Sequence, residues 1–419
     1  MNQENRWLLP AGIDELLPDA AWAVEGLRRR VLDLFRAWGY GLVVPPMVEY
    51  VESLLIHPGD DLDLSTLKVI DQLTGRLMGI RADMTPQMAR IDAHSLGHTE
   101  PTRLCYLGTV LHAMPGGFAG SRAPMQVGAE LFGHAGIESD REILSLLLDT
   151  LAVVGINDVW LDLGHVGIFR ELMAQAQFEA DEETEFFALL QRKAMPEIQV
   201  FLAARKLTPS LAAMLHALAE LHGEGVETLE RARTVLADAG DGVVLALDNL
   251  SELARLVLAS GSGVKLHVDL AELRGYHYHT GMVFAAYVPG HRQAIARGGR
   301  YDGIGEAFGR ARPATGFSAD VRALLDLMHA DTKIDGSAAQ AMYQHTYLAP
   351  VLDSEEPGYS ELLALVRGLR AKGCRVIQAL PGDNGQDESL GDCALAMGCT
   401  HRIEPDMTHG NEFWKICEI

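Results

Sequence analysis

Four short runs carry the side chains with which this sequence could do chemistry. Arg81-Ala82-Asp83-Met84-Thr85-Pro86 sets a guanidinium, a carboxylate and a hydroxyl at a strand end beside a helix start. That arrangement suits a ligand ammonium, but Asp and Thr are also common helix caps, so Thr85 as N-cap with Pro86 at the first helical position explains it too. Gln126-Val127-Gly128-Ala129-Glu130 alternates, which sends Gln126, Gly128 and Glu130 to one face of a strand. A small residue between two hydrogen-bonding side chains leaves room for a ligand, although a solvated sheet face gives the same spacing. The third run, Leu273 to Phe284, contains Arg274, His277, Tyr278 and His279. The two histidines lack the matched Cys or carboxylate partners of a closed metal site, so neither a metal nor another cofactor is expected. The fourth is Arg297-Gly298-Gly299-Arg300-Tyr301-Asp302-Gly303, paired with Pro313-Ala314-Thr315-Gly316-Phe317-Ser318. Its glycines permit close approach to a ligand or to a neighbouring strand.

The elements that must hold these runs follow from periodicity. After Pro18 and Asp19, apolar residues at Val24, Leu27, Val31, Leu34 and Trp38 give an amphipathic helix, stopped by Gly39 and Gly41. The β-rich run LVVPPMVEY follows, and Pro45 and Pro46, which cannot donate to a ladder, assign it to a sheet edge or an interface. LKVIDQ and RLMGIR flank Leu73-Thr74-Gly75 as a hairpin. Further strand signals are RLCYLG, PMQVGAELFG, VWLDLG, VKLHVDL, YHTGMVFAAYV and QAIARGG, with helical patterns at 140–154 and about 166–260. Strands arriving in blocks favour an α+β chain with an antiparallel sheet, the helices at about 166–260 forming an insertion between its halves. Residues 1–330 read as one domain, 331–345 as a linker, and 346–419 as a small α/β domain. In the last, TYLAPVL and CRVIQAL are strands around the helix SELLALVRGLRAKG, and PGDNGQDESLGD is a polar loop.

Composition narrows the functional classes. The chain has 419 residues, 48% of them hydrophobic, enough for a large core. With 35 basic against 57 acidic residues and a formal charge of −22, its mean field opposes nucleic acid, whose phosphates are bound by cations. No window reaches the roughly 18 uncharged apolar residues of a membrane span, and the amino terminus has no leader-like basic and apolar pattern, so a cytoplasmic protein is expected. Five cysteines without CxxC spacing in so large a chain are expected to be reduced and structural.

Taken in order, the runs resemble histidyl-tRNA synthetase, a class II aminoacyl-tRNA synthetase, over roughly residues 8–328. LLPAGIDELLPDAA and GYGLVVPPMVEY are similar to that family's start and dimer-forming motif 1. RLCYLGTVLHAMPGGFAGSRAPMQVGAELFG resembles motif 2, RGYHYHTGMVF and ARGGRYDGI its two histidine-specific signatures, and PATGFSADVRAL stands in the place of motif 3. The resemblance implies a class II sheet and a histidine pocket of Asp83, Thr85, Gln126, Glu130, Arg274 and Tyr278. An acid for the ammonium, an arginine for the carboxylate and polar groups for the imidazole are what free histidine requires. The departures lie at the nucleotide end. Where motif 2 has its arginine, which grips the ATP α-phosphate, this chain has Leu111-His112-Ala113-Met114. Where motif 3 has glutamate then arginine, it has Arg322-Ala323. Losing a guanidinium that stabilises developing charge costs roughly 10²–10³ in rate, so losing two abolishes adenylate formation and no catalytic residue is expected.

Retained histidine recognition without ATP handling resembles the regulatory subunits of short-form ATP phosphoribosyltransferase. That family implies a non-catalytic subunit required for the first step of histidine biosynthesis and for its feedback regulation by histidine. It further implies a short-form catalytic partner chain, a homodimer through the motif 1-like region and a hetero-octamer. The alternatives are an active histidyl-tRNA synthetase or histidyl-adenylate-using ligase, opposed by the missing arginines, and a catalytically dead tRNA-sensing domain, opposed by the charge.

Overall fold

The computed structural model describes residues 7–55, 61–114, 121–259, 263–273, 275–276, 278–291, 293–331, 345–350, 357–380, 390–406 and 414–419. The chain divides into two compact units, Met1–Leu17 with Val24–Thr332, and Pro18–Ala23 with Lys333–Ile419. The first helix, Pro18–Ala37, places its proline in the first turn, where a missing N–H leaves no bond unmade. Its buried line is Val24, Leu27, Val31 and Phe35. Leu34 and Trp38, expected on that line, are only half-buried. Each residue turns the helix by about 100°, and the 3-4-4 spacing carries the stripe to Phe35, which meets Phe317 edge-on at 6.0 Å.

Strands β1 (Gly41–Leu42), β2 (Val48–Tyr50), β3 (Leu67–Ile70), β4 (Leu77–Ile80), β5 (Thr102–Thr109), β6 (Met125–Phe132), β7 (Trp160–His165), β8 (His222–Glu224), β9 (Lys265–Asp269), β10 (Met282–Tyr287), β11 (Ala296–Arg300) and β12 (Ala314–Asp320) build two sheets in the first unit. One is small and antiparallel, in the order β2-β4-β3; the other runs β1-β5-β6-β12-β11-β10-β7-β9-β8. From β5 to β7 every pair in the large sheet is antiparallel, as expected of an α+β chain. Parallel pairs occur at its flanks, β1 with β5 and β7 with β9. Each joins strands far apart in sequence, which is what a parallel crossover requires. Pro45 and Pro46 fall between β1 and β2, each of which is an edge strand. The β3–β4 hairpin closes as expected on Asp71, whose carboxylate accepts from the Leu73 amide and the Thr74 hydroxyl, with Gly75 at φ +72°.

Between β7 and β9 lie the helices Val166–Ala176, Ala180–Gln191, Met195–Ala203, Pro209–Leu218, Gly225–Val235 and Asp241–Ala259, with β8 among them. Aromatic rings hold this insertion together: Phe186 lies 5.3 Å from Phe201 and 5.8 Å from Phe178. A capping box at Glu179 and Glu182 starts the second helix, and the Thr208 hydroxyl caps the fourth.

In the second unit β13 (Thr346–Ala349), β14 (Arg375–Gln378), β15 (His401–Pro405) and β16 (Trp414–Glu418) form a sheet in the order β14-β13-β15-β16. Leu362, Val366 and Leu369 of the Tyr359–Ala371 helix pack with Tyr347, Val376 and Ile403. The end of the stretch read as a polar loop is helical, since Leu390–Ala396 forms a helix that sets Cys393 and Ala394 against Leu348. Residues 381–389 of that stretch, and 332–344 of the expected linker, lie outside the described residues. All five cysteines are free.

Candidate functional site

A cavity of about 320 Å3 opens beside β6, β11 and β12, lined among others by Asp83, Thr85, Gln126, Glu130 and Tyr278. Its floor is built from the segment after β4. The buried Arg81 guanidinium donates to the carbonyls of Pro45 (2.8 Å) and Thr109 (3.0 Å), fixing the chain just before Asp83. Asp83 Oδ1 then accepts from the Thr85 amide (3.0 Å) and from Gln126 Nε2 (2.8 Å), while Gln126 Oε1 accepts from the Met84 amide (2.9 Å). Two side chains and two backbone amides thus lock one another, so the carboxylate of Asp83 is held before any ligand arrives. Thr85 is not a cap. It is the first residue of the helix Thr85–Arg90, Met84 stands at the N-cap position without a side-chain bond, and Pro86 is one residue further in than expected. The threonine hydroxyl is drawn instead to a stronger acceptor, Glu130 Oε1, at 3.0 Å.

Glu130 is almost wholly buried, and three hydroxyls surround it: Thr85, Tyr106 at 3.1 Å and Tyr301 in a close contact. Burial pushes its pKa up to about 8, while the hydroxyls, which favour the anion, act in the opposite direction. Gln126, Gly128 and Glu130 share a face as their alternation requires, but the space at Gly128 is not left for a ligand. Tyr106, its cross-strand partner, fills it, and a Cβ there would strike the phenol oxygen. A Cβ on Gly316 would likewise collide with the Glu130 carboxylate, so this glycine is needed by the carboxyl group itself. Gly298 serves strand packing, facing the Phe284 ring and the Gly316 carbonyl. Tyr278 stacks on Tyr301 with centroids 4.9 Å apart. Its hydroxyl is buried and has no hydrogen-bond partner among the described residues. Arg274 and His277 lie outside the described residues. No group of three metal-ligating side chains occurs among the described residues.

Arg300 holds the frame around the cavity. Its guanidinium pairs with Asp140 at 2.9 and 3.1 Å, reaches Asp302 at 3.1 Å, and donates to Ser139 and to the carbonyls of His134 and Gly136. This ties the end of β11 to the start of the Ile137–Val153 helix. Asp302 passes the restraint on, accepting from the Ala314 amide and from the Thr280 hydroxyl.

At the other end of the cavity, among the described residues, neither His112 nor Ala323 offers a guanidinium for a nucleotide. His112, at the motif 2 arginine position, has its Nε2 3.0 Å from the Ala82 carbonyl oxygen. Arg322 does not line the cavity; it forms a two-point ion pair with Asp14, which holds the Asp14 carboxyl below its usual range. Ala323 is buried. Asp320, paired across the sheet with Gln126, faces the cavity and accepts from the amides of Met125 (3.2 Å) and Arg322 (3.0 Å), with burial pushing its pKa up to about 6. Among the described lining residues two aspartates, Asp83 and Asp320, stand against one arginine, the exposed Arg297, while Glu130 keeps its proton up to about pH 8. That balance opposes a polyphosphate and suits a ligand bearing an ammonium.

Tyr106, Tyr301 and Asp320 are site residues that the four runs did not announce. Tyr301 sits inside the fourth run, where the glycines drew the argument. Tyr106 could have been found only from the need to fill the space opposite Gly128. Asp320 ends a strand of small residues with no alternation to mark it.

Similarity to known proteins extends over the whole chain. The family model described as histidyl-tRNA synthetase matches residues 12–324. The ATP phosphoribosyltransferase regulatory subunit of Thioalkalivibrio sulfidiphilus is 54% identical over 419 residues, all of both chains. That of Alkalilimnicola ehrlichii is 52% identical over 405 residues, 97% of this chain and 96% of the relative. A crystal structure from Bacillus halodurans, described as an ATP phosphoribosyltransferase regulatory subunit/histidyl-tRNA synthetase, superposes with a TM-score of 0.77 at 24% identity, covering 93% of this chain and 96% of that one, a likeness of fold.

Proposed function

The chain belongs to the family of ATP phosphoribosyltransferase regulatory subunits, built on the histidyl-tRNA synthetase domain, and from that membership we propose that it binds free histidine in the cavity and reports occupancy to a separate short-form catalytic chain. Asp83, oriented by Gln126 and the Thr85 amide, takes the ammonium. Glu130, Thr85 and Tyr278 surround the imidazole, and Arg274 takes the carboxylate. The observation that carries the reading is the Tyr278 hydroxyl, buried in the cavity wall without a hydrogen-bond partner among the described residues, beside Asp83, Thr85, Gln126, Glu130 and Tyr301, which are bonded within the site. An unmade buried hydrogen bond costs about 1–3 kcal/mol, which a ligand nitrogen would recover.

The transfer of a phosphoribosyl group from phosphoribosyl pyrophosphate to ATP is assigned to the partner chain, because the guanidinium clamps for a nucleotide are missing here. Feedback then arises if histidine binds one arrangement of the assembly better than another; a coupling of roughly 1–3 kcal/mol changes activity about 5- to 150-fold. A homodimer through the motif 1-like region, within a hetero-octamer, is supported by the exposed apolar side chains of Leu42, Val44, Met47 and Val48 at that edge.

Calorimetric titration of L-histidine into the purified chain, alone and with the short catalytic chain, tests the reading. Binding is expected, with phosphoribosyl transfer only in the mixture and its inhibition by histidine. Histidine- and ATP-dependent pyrophosphate exchange by this chain alone would restore an enzyme reading, and absence of histidine binding to both samples would remove the sensor.

A further inference from the structure

The turn that brings Tyr278 to the cavity is gripped from the helical insertion, and we infer that the insertion registers ligand in the cavity through Arg170, Tyr276 and Glu183, an inference that rests on the histidine reading above. Gly275, at φ +69°, opens the turn, and its carbonyl accepts from the amides of Tyr278 and His279 at 2.8 Å each. Arg170, from the first insertion helix, uses one nitrogen, Nη2, for two carbonyls: that of Tyr276 at 2.7 Å and that of His279 at 2.8 Å. These residues flank Tyr278 on both sides in the chain. Tyr276 itself turns into the insertion. Its ring stands edge-on to Phe169 at 5.0 Å and 5.6 Å from Phe187, and its hydroxyl donates to Glu183 of the helix Ala180–Gln191.

Two insertion helices therefore hold the backbone around a cavity residue whose buried hydroxyl lacks a partner among the described residues. A ligand that supplies that partner restrains Tyr278, and Tyr278 cannot be restrained without restraining the carbonyls that Arg170 holds and the ring that Glu183 and the phenylalanines hold. Ordering at the cavity thus becomes ordering of helices that do not line it, which is a coupling between sites with an observable in hydrogen exchange. Arg170 and Glu183 are positioning residues in this scheme. Neither lines the cavity.

Amide hydrogen exchange of the full chain with and without saturating L-histidine, beside calorimetric affinities, tests the coupling. In the wild type, histidine is expected to slow exchange in Ala180–Gln191 several-fold. Tyr276→Phe keeps the ring packing and loses only the bond to Glu183; it is expected to bind histidine within about threefold of the wild type while losing most of that protection. Arg170→Lys, which cannot bridge both carbonyls in the same way, is expected to weaken histidine binding roughly tenfold at unchanged thermal stability of the unliganded chain. Histidine binding that leaves exchange in Ala180–Gln191 unchanged overturns the inference, as does full protection in Tyr276→Phe. A wild-type chain that does not bind histidine at all removes the histidine reading first, and the inference with it.

Discussion

Glu130 shows how much one carboxyl group can decide. In an unfolded chain it titrates at its ordinary 4.5; in the fold, burial holds the proton up to about 8 in spite of three hydroxyl donors. Between those values the folded chain keeps a proton that the unfolded chain has released. Its contribution therefore makes the protein less stable as pH rises through that window, with no further loss above it. Scanning calorimetry of the unliganded wild type is expected to show a falling melting temperature from about pH 5 to about pH 8. Glu130→Gln, neutral throughout, should flatten that slope and weaken histidine binding by tenfold or more, since its NH2 replaces one of the two oxygens that the Thr85, Tyr106 and Tyr301 hydroxyls meet. An unchanged slope would mean that the burial of this group is not what sets the pH response.

Among elements, the join between β11 and the Ile137–Val153 helix depends on a buried ion pair. Arg300 and Asp140 are both nearly inaccessible, and removing one partner of such a pair typically costs about 3–5 kcal/mol because the other charge is left buried. Arg300→Ala should show a deficit of that order in denaturant unfolding at pH 7. Burial already raises the Asp140 pKa against the pull of Arg300; without the arginine it rises further, so the deficit should shrink at pH 5, where the carboxyl can take up a proton. The same join explains what could be read in the sequence and what could not. β5, β6, β7, β9 and β10 announce themselves because apolar and polar residues alternate or run together within them. β12, Ala-Thr-Gly-Phe-Ser-Ala-Asp, does not: it is buried at nearly every position between β6 and β11, and its small residues are chosen by the side chains opposite. The residues alone left Asp83, Gln126 and Glu130 open between a ligand site and a cap or sheet face; the resemblance joined them as a set, and the structure brings the three into one cavity. Thr85 was misread as a cap because local rules cannot see a carboxylate arriving from another strand.

For the molecule as a whole, one group of exposed apolar side chains lies on the surface proposed above for a second copy. Val44 and Leu42 beside β1, Met47 and Val48 at β2, and Ile70, Leu73 and Leu77 of the β3–β4 hairpin are all open to solvent. Sedimentation of the isolated chain is expected to give a dimer, and Val44→Asp combined with Val48→Asp a monomer that still melts cooperatively, because neither side chain belongs to a buried cluster. A variant that stays dimeric would move the interface elsewhere. The strongly acidic balance bears on another partner: a filter-binding assay should detect no tRNA retention that survives physiological salt.

The ion pair between Arg322 and Asp14 bears on whether nucleotide handling could be installed in this cavity. Arg322, which by the resemblance stands where motif 3 has its glutamate, fastens the amino-terminal segment, and a carboxyl group, Asp320, lies in the cavity wall two residues away. His112→Arg with Ala323→Arg would supply two guanidiniums, yet the second must enter a closed position and the first must give up the contact of His112 with the Ala82 carbonyl. Such a double variant should show no pyrophosphate exchange above background.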